Sequence, residues 1–371
     1  MAKIFYSMCG EGRGHAARVR SMVEHLKGEH QLVLFAPDQA YDFLAPRYPA
    51  GTPNVEVRRI PGLRFFYTNG RLDLIRSISN AFGYMWKLRN LVRQLKRAIR
   101  EEQPDLILSD FEPALPRAAK SCKAPFVSLN HQHFLVACDL SSLPWHLRGW
   151  ASMMGLAVRA HHYWQRQTIV SSFFSAPLRP GYERVLQVGP LLRPEVLQAR
   201  PVTGDHIVSY LRASTPPKVL EMLHSSGREV RVYGLGNRKD EGNLRFMPLH
   251  EQKFVDDVAS CHALVGAAGN QSLGEAIYMG KPIFALPEAD HHEQMINSHF
   301  LGQMGTGAFS TLEDVQPREF SEFLGKTDQY RDALRDYAGR IDGTPAAVGE
   351  VVRHLRGRLV SPIPMQNLCL V

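Results

Sequence analysis

A chain of 371 residues, 44% hydrophobic and 22% charged, is ordinary globular material, long enough for two domains that each bury a core. Its net charge of +8 is uneven: residues 1–185 carry 25 Lys and Arg against 14 Asp and Glu, and residues 186–371 carry 19 against 22, so an anionic partner is expected for the first half. The opening MAKIFYSMCG is no secretory leader and no window nears about 18 uninterrupted apolar residues, which excludes a membrane span and leaves a cytoplasmic protein as the expectation.

In chain order, KIFYSM reads as a strand, HAARVRSMVEHLK as a helix with Val19, Met22, Val23 and Leu26 on one side, and HQLVLFAP as a second strand. PDLILSD, PALPRAAKS and APFVSLN repeat the strand, helix, strand order. Such alternation predicts a parallel sheet covered by helices. From Gly181 the chain turns proline-rich, as a connector between domains would. Beyond it HIVSYLR, EVRVYGL, NLRFMPL, HALVGAA and KPIFALP are strands, separated by helices such as PPKVLEMLHSSG and NQSLGEAIYMG.

The expected fold is therefore α/β, with two Rossmann-like domains facing across a cleft. The first covers residues 1–185 and the second covers 186–345. Residues 346–371 form a last helix and tail that pack back on the first. Five scattered cysteines, odd in number and without a C-x-x-C pair, argue against a disulfide framework or thiolate zinc and read as buried free thiols.

The richest stretch is GAAGNQSLGEAIYMGKPIFALPEADHHEQMIN, residues 266–297. Its small residues end a strand, and Asn270, Gln271 and Ser272 open a helix whose N–H groups and dipole would cradle a diphosphate. Glu275, one turn in, reaches a ribose diol. Gly269, Ser272, Glu275, Ala276, Gly280, Pro282, Pro287, Gln294 and Asn297 together resemble the donor-binding segment of GT-B glycosyltransferases. That group includes natural-product glycosyltransferases of plants and bacteria and the N-acetylglucosaminyltransferase of peptidoglycan synthesis.

The resemblance implies that Glu275 holds ribose hydroxyls, that Glu293 and Gln294 hold hydroxyls of the transferred sugar, and that Phe246 in NLRFMPLHEQKF offers a stacking face to the base. Plant-type members place a phosphate-binding histidine where this chain has Ala267. Backbone N–H groups and a basic residue, with Arg212 the candidate, then take that role. Asp290, His291, His292 and Glu293 are adjacent residues that seldom converge on one ion, and VDDV at 255–258 reads as a solvated helix face, so no metal or other cofactor is expected.

The opening GEGRGHAAR is similar to the G-x-G-H loop of the same superfamily, with Gly14 passing close to the donor and His15 facing the cleft. A hydroxyl acceptor needs a base near neutral pH, and imidazole supplies one. His15 is assigned that role, and Asp110, ending PDLILSD, matches the aspartate of the family's dyad; a helix cap is its other reading, and Glu112 is its rival by proximity.

The expected activity is transfer of a hexose from a nucleoside diphosphate donor, UDP-linked, to a hydroxyl of a small-molecule or lipid acceptor, inverting and metal-independent. The alternatives are a nucleotide-sugar hydrolase or 2-epimerase, whose G-x-G-H-x-x-R loop Arg18 fits, and a non-catalytic sugar-nucleotide-binding or membrane-recruiting subunit. The basic amphipathic stretch GYMWKLRNLVRQLKRAIREE makes an anionic membrane surface a candidate partner, placing the protein peripherally on the inner face. LRFFYTNGR and LPWHLRGWASMMGLAV suit a lipid-like or aromatic acceptor. Nucleic acid is not expected, since no helix-turn-helix, RNP or zinc pattern accompanies the charge.

Overall fold

The computed structural model describes residues 1–10, 13–62, 67–68, 71–72, 74–161 and 164–357. The first half runs β1 (Lys3–Met8), α1 (Arg13–Leu26), β2 (Gln31–Pro37), α2 (Asp38–Leu44), β3 (Val55–Ile60), β4 (Tyr67–Thr68), β5 (Arg71–Leu72), α3 (Leu74–Glu102), β6 (Leu106–Asp110), α4 (Ala114–Cys122), β7 (Phe126–Asn130), α5 (Phe134–Ala137), α6 (Trp145–His161), β8 (Gln167–Ser171) and β9 (Leu186–Val188). The second runs α7 (Pro194–Gln198), β10 (Ile207–Tyr210), α8 (Pro217–His224), β11 (Val230–Tyr233), β12 (Leu244–Met247), α9 (Glu251–Ala259), β13 (Ala263–Gly266), α10 (Asn270–Tyr278), β14 (Ile283–Ala285), α11 (His292–Gln303), β15 (Gly307–Phe309), α12 (Pro317–Leu324), α13 (Thr327–Leu334) and α14 (Thr344–Arg356).

Two parallel sheets result, of seven strands in the order β3-β2-β1-β6-β7-β8-β9 and six in the order β12-β11-β10-β13-β14-β15. Central strands such as β6 are buried along their whole length, which is why they read as unbroken apolar runs. In each sheet the strand order reverses once, between β1 and β6 and between β10 and β13. Crevices for ligands open at the carboxyl ends of the strands flanking such a reversal. The start of α1 with His15 and the end of β6 with Asp110 lie at one reversal; the turns that carry Arg212 and Gly269 lie at the other.

The structure shifts one expected boundary. β9 lies inside the proline-rich connector yet pairs in parallel with β8, so the first sheet extends past residue 185 to Val188. Three residues between prolines and glycines show no period, so this strand was hidden. β3, β8 and β15 were likewise not singled out.

α14 lies on α1, where Ala347 and Val351 join the apolar cluster holding Val19, Met22 and Val23. A further cluster runs through the seam between the halves and ends in Phe174 stacked on Phe300, ring centroids 3.8 Å apart. The amphipathic stretch expected to meet a membrane is otherwise engaged: Leu91, Leu95 and Ile99 of α3 are buried against α4 and the first sheet. Met85 lies outside the residues whose side chains are described. Among the described residues no helix is long and apolar enough to cross a membrane.

Candidate active site

The first group of functional side chains forms where β1 and β6 end side by side, with Met8 paired to Asp110. A Cβ on Gly10 would stand 2.8 Å from Pro37 Cγ, so only glycine lets the chain leave β1 beneath the end of β2. α1 then begins, and His15 and Arg18, three residues apart, share one of its faces.

His15 Nδ1 lies 3.0 Å from Asp110 Oδ1. Arg18 closes a fork on the same carboxylate, Nε donating to Oδ2 and Nη2 to Oδ1, each at 2.8 Å. Nη2 is also 3.0 Å from His15 Nδ1. Burial opposes ionisation of Asp110, and the Arg18 guanidinium and the His15 ring outweigh it, holding the carboxyl below its ordinary range. Below this group the Tyr6 hydroxyl is buried without a partner among the described residues, and burial drives its ionisation far upward.

Phe111, at φ 60°, turns the chain sharply between two acids. Glu112 beyond it accepts the N–H groups of Ala114 at 2.7 Å and Leu115 at 2.9 Å, and so caps α4. The two roles open to Asp110 are thereby divided: Glu112 takes the helix, and Asp110 takes the imidazole.

The second group gathers at α10. Gly269, its N-cap, is extended at φ −76° and ψ 135° and gives no side-chain cap, so among the described residues no side chain caps the first-turn N–H groups. Gly14 of α1 comes to this turn: a Cβ placed on it would lie 3.8 Å from Gln271 Cβ. Two positive helix ends thus meet at one spot, a setting that favours an anion.

The side chains of that turn differ from expectation. Asn270 receives the Phe173 N–H at 3.1 Å and donates to the Ser171 carbonyl at 3.2 Å, so its amide ties the halves together instead of facing a ligand. Gln271 Nε2 donates to the Leu191 carbonyl at 2.9 Å and to Glu275 Oε1 at 3.0 Å. Ser272 is exposed.

Glu275 is 5% exposed and held by Arg193, with Nε to Oε1 at 2.9 Å and Nη2 to Oε2 at 2.8 Å. Arg193 Nη1 reaches Glu251 at 2.7 Å; Glu251 also pairs with Arg20 at 2.9 Å and with Arg47, while Arg20 bonds Glu195. Burial opposes the charge on Glu251, and Arg193, Arg47 and Arg20 overcome it, lowering its ionisation below the usual carboxylate range. This ion network spans α1, the connector and α9. Gly274 completes the close fit, since a Cβ there would meet Pro190 at 2.6 Å.

Phe246 also departs from its expected role. Its side chain points into the core of the second half, 7% exposed, with the Arg238 guanidinium 4.9 Å from the ring centroid, which leaves no open face for a base. Alternation along β12 turns Phe246 inward together with Leu244. Arg212 Nη1 bonds Glu288 at 3.0 Å, and the Glu288 N–H donates to Gln294 Oε1 at 3.2 Å, so Arg212 and Gln294 meet on one acid.

Glu293, at the start of α11, faces the first half: Gln132 Nε2 is 3.4 Å from its carboxylate. Burial raises its cost of ionisation, and His131, His291, His15 and Arg18 more than offset this. The structure therefore gathers His15, Arg18, Asp110 and Glu293 around one point. Among the described residues no three His, Cys, Asp or Glu are grouped to hold a metal ion.

Sequence reasoning passed over Arg193, Glu251, His131 and Gln132. His131 is fully buried, its Nδ1 3.2 Å from the Ser171 carbonyl and its Nε2 3.3 Å from Asn297 Oδ1. Burial pushes its ionisation down to about 4. The polar run NHQH at the end of APFVSLN was a usable signal for His131 and Gln132, because it follows a parallel strand. Arg193 sits among prolines and gave none.

A family model described as Glycosyl transferase family 1 matches residues 2–327. The chain belongs to that family. It is a glycosyltransferase, and its two parallel sheets are those of the GT-B fold. A curated relative from Methanosarcina mazei, named an uncharacterized glycosyltransferase, is 24% identical over 393 residues, covering 97% of this chain and all of its own. Among solved structures, MurG of Acinetobacter baumannii is similar with a TM-score of 0.63 at 13% identity, covering 95% of this chain and 100% of its own. Arabidopsis thaliana UGT89C1, complexed with UDP-L-rhamnose, is similar with a TM-score of 0.69 at 13% identity, covering 96% and 99%.

Proposed function

We propose that this family 1 glycosyltransferase moves a sugar from a UDP-linked donor to a hydroxyl of a lipid-like or aromatic small acceptor, by direct displacement with inversion and without a metal ion. The observation that carries this reading is the pairing of His15 with Asp110 beside the spot where the first turns of α1 and α10 meet. His15 Nε2 takes the acceptor proton as the hydroxyl oxygen bonds to the anomeric carbon. The bond from that carbon to the diphosphate breaks, and the leaving charge settles on the N–H groups at the start of α10, with exposed Arg212 nearby.

Inversion is favoured because the acids of the first half are engaged: Asp110 holds His15 and Arg18, and Glu112 caps α4. A covalent glycosyl intermediate would need one of them, or Glu293 of the second half, as nucleophile. The UDP-L-rhamnose held by the Arabidopsis neighbour supports a UDP-linked donor.

For the acceptor side, α6 presents Trp145, Met153 and Leu156 at 78%, 60% and 66% exposure. Trp145 lines a cavity of about 360 Å³ with Arg148 and Arg179. On the same helix Trp150 lies 4.9 Å from His292, next to Glu293. An apolar face flanked by arginines suits a lipid acceptor or an anionic membrane surface.

Calorimetry with UDP, dTDP and GDP in EDTA, followed by NMR of the product's anomeric configuration, tests the proposal. Tightest binding of UDP and an inverted product are expected. Donor breakdown that no acceptor accelerates would favour the hydrolase, and donor binding without any turnover the non-catalytic subunit. Flotation with anionic vesicles, weakened by Trp145→Ser together with Leu156→Ser, tests the membrane arm.

A further inference from the structure

The geometry points to Arg18 as a positioning residue that shares the charge of Asp110 and so keeps a second proton off the His15 ring, leaving Nε2 bare. In the sequence Arg18 stood out only as part of G-x-G-H-x-x-R, and the proposed reaction gives it no task. It is nonetheless 3% exposed and makes two 2.8 Å bonds to a carboxylate that is itself fully buried. A guanidinium and a carboxylate that far from water stay charged only through each other.

The contacts at Asp110 Oδ1 restrict where the imidazole proton can sit. Oδ1 receives Arg18 Nη2–H at 2.8 Å and lies 3.0 Å from His15 Nδ1, while Nη2 and Nδ1 are 3.0 Å apart. In one arrangement Nδ1 carries the proton and donates to Oδ1 alongside Arg18, leaving Nε2 bare. In the other, Nε2 carries it and Nδ1 accepts from Arg18. An ionised oxygen is the stronger partner for an N–H, so the first arrangement is favoured.

Arg18 also limits how strongly Asp110 acts on the ring. With the guanidinium in place, carboxylate and arginine are together neutral, and one proton on the imidazole is enough. Without it, the buried carboxylate has only His15 to balance its charge, which favours a second ring proton and removes the base. Among the described residues, the other charged or titratable groups facing this point are Glu293 of α11, Tyr6 of β1, and His131 and His291. The Glu293 carboxylate acts on the ring in the same direction as Asp110, so Arg18 stands against two acids.

The catalytic meaning of this rests on the reading of His15 as the base; the proton placement itself does not. Long-range ¹H–¹⁵N spectra of ¹⁵N-histidine-labelled full-length protein at pH 7 test it, with the His15 signals assigned by their loss in His15→Gln. The wild-type ring should show a proton on Nδ1 alone, Arg18→Met should show protons on both nitrogens, and Arg18→Lys should lie between them. A wild-type ring protonated on Nε2 alone, or identical ring states in wild type and a folded Arg18→Met, would overturn the inference. The wild-type spectrum and Arg18→Lys keep the test decisive where Arg18→Met does not fold. UDP calorimetry on the wild type reports separately on the functional reading, so the two failures are distinguishable.

Discussion

The helix N-termini that meet at the seam, those of α1 and α10, are equipped in opposite ways. In the first turns of α1 the polar side chains bond within their own half: His15 and Arg18 both end on Asp110, at the end of the strand next to the one their helix follows. At α10 they bond outside it, Asn270 and Gln271 to the backbone at 171, 173 and 191 and Glu275 to Arg193 of the connector. The hydrogen bonds among His15, Arg18 and Asp110 thus lie within one domain, with Glu293 of the other facing them, whereas α10 lends its side chains to holding the domains together. On the proposed reading, a ribose diol arriving at Glu275 would share that acid with Arg193. The carboxylate already accepts three bonds from Arg193 and Gln271, of roughly four it can take.

This contrast predicts that damage to the two ends will separate chemistry from assembly. The largest effect is expected from His15→Ala. With an acceptor the wild type uses, turnover should fall about a thousandfold, the usual worth of a general base, while the UDP affinity read by calorimetry holds within about twofold. A variant that loses UDP binding to the same degree as turnover would mean that His15 serves the donor.

At the other end, Arg193→Met leaves Glu275 buried without its cation and should cost about 3–5 kcal/mol in urea unfolding. Combining it with Glu275→Gln should restore most of that loss, because the uncompensated charge goes with it. No recovery in the double variant would show that Arg193 acts through Glu251 instead.

The smallest effect concerns acid and sharpens the picture of the seam at His131. An unfolded histidine takes up its proton below about pH 6.5, whereas the folded His131 holds off to about 4. Between these values the unfolded state binds more protons, so stability falls as the pH falls, by about 3 kcal/mol at pH 4, and is unaffected by this group above 6.5. His131→Gln should flatten that part of the stability profile. An unchanged slope would remove His131 from the account of acid sensitivity.

Much of the fold was legible because a buried parallel strand writes itself as a short apolar run. KIFYSM, PDLILSD and HALVGAA became β1, β6 and β13 within a residue or two. The strands that escaped notice were short edge members, β9 and β15, or mixed ones such as β3, whose burial alternates irregularly along VEVRRI. His15 and Asp110 were found because each closes a strand–helix junction, a position that local sequence does mark.

The sequence by itself determined the class of fold and the two-part organisation, which follow from local periodicity, while the resemblance of residues 266–297 and of the G-x-G-H loop implied the family and made the pairing of His15 with Asp110 an expectation. Only the tertiary structure decided the partners. Arg18 on Asp110, Glu112 on α4, Arg193 on Glu275 and the inward turn of Phe246 depend on which surfaces are pressed together and cut off from water. A buried charge must find a counter-charge within about a bond's reach, and which residue supplies it is set by the packing of elements far apart in the chain.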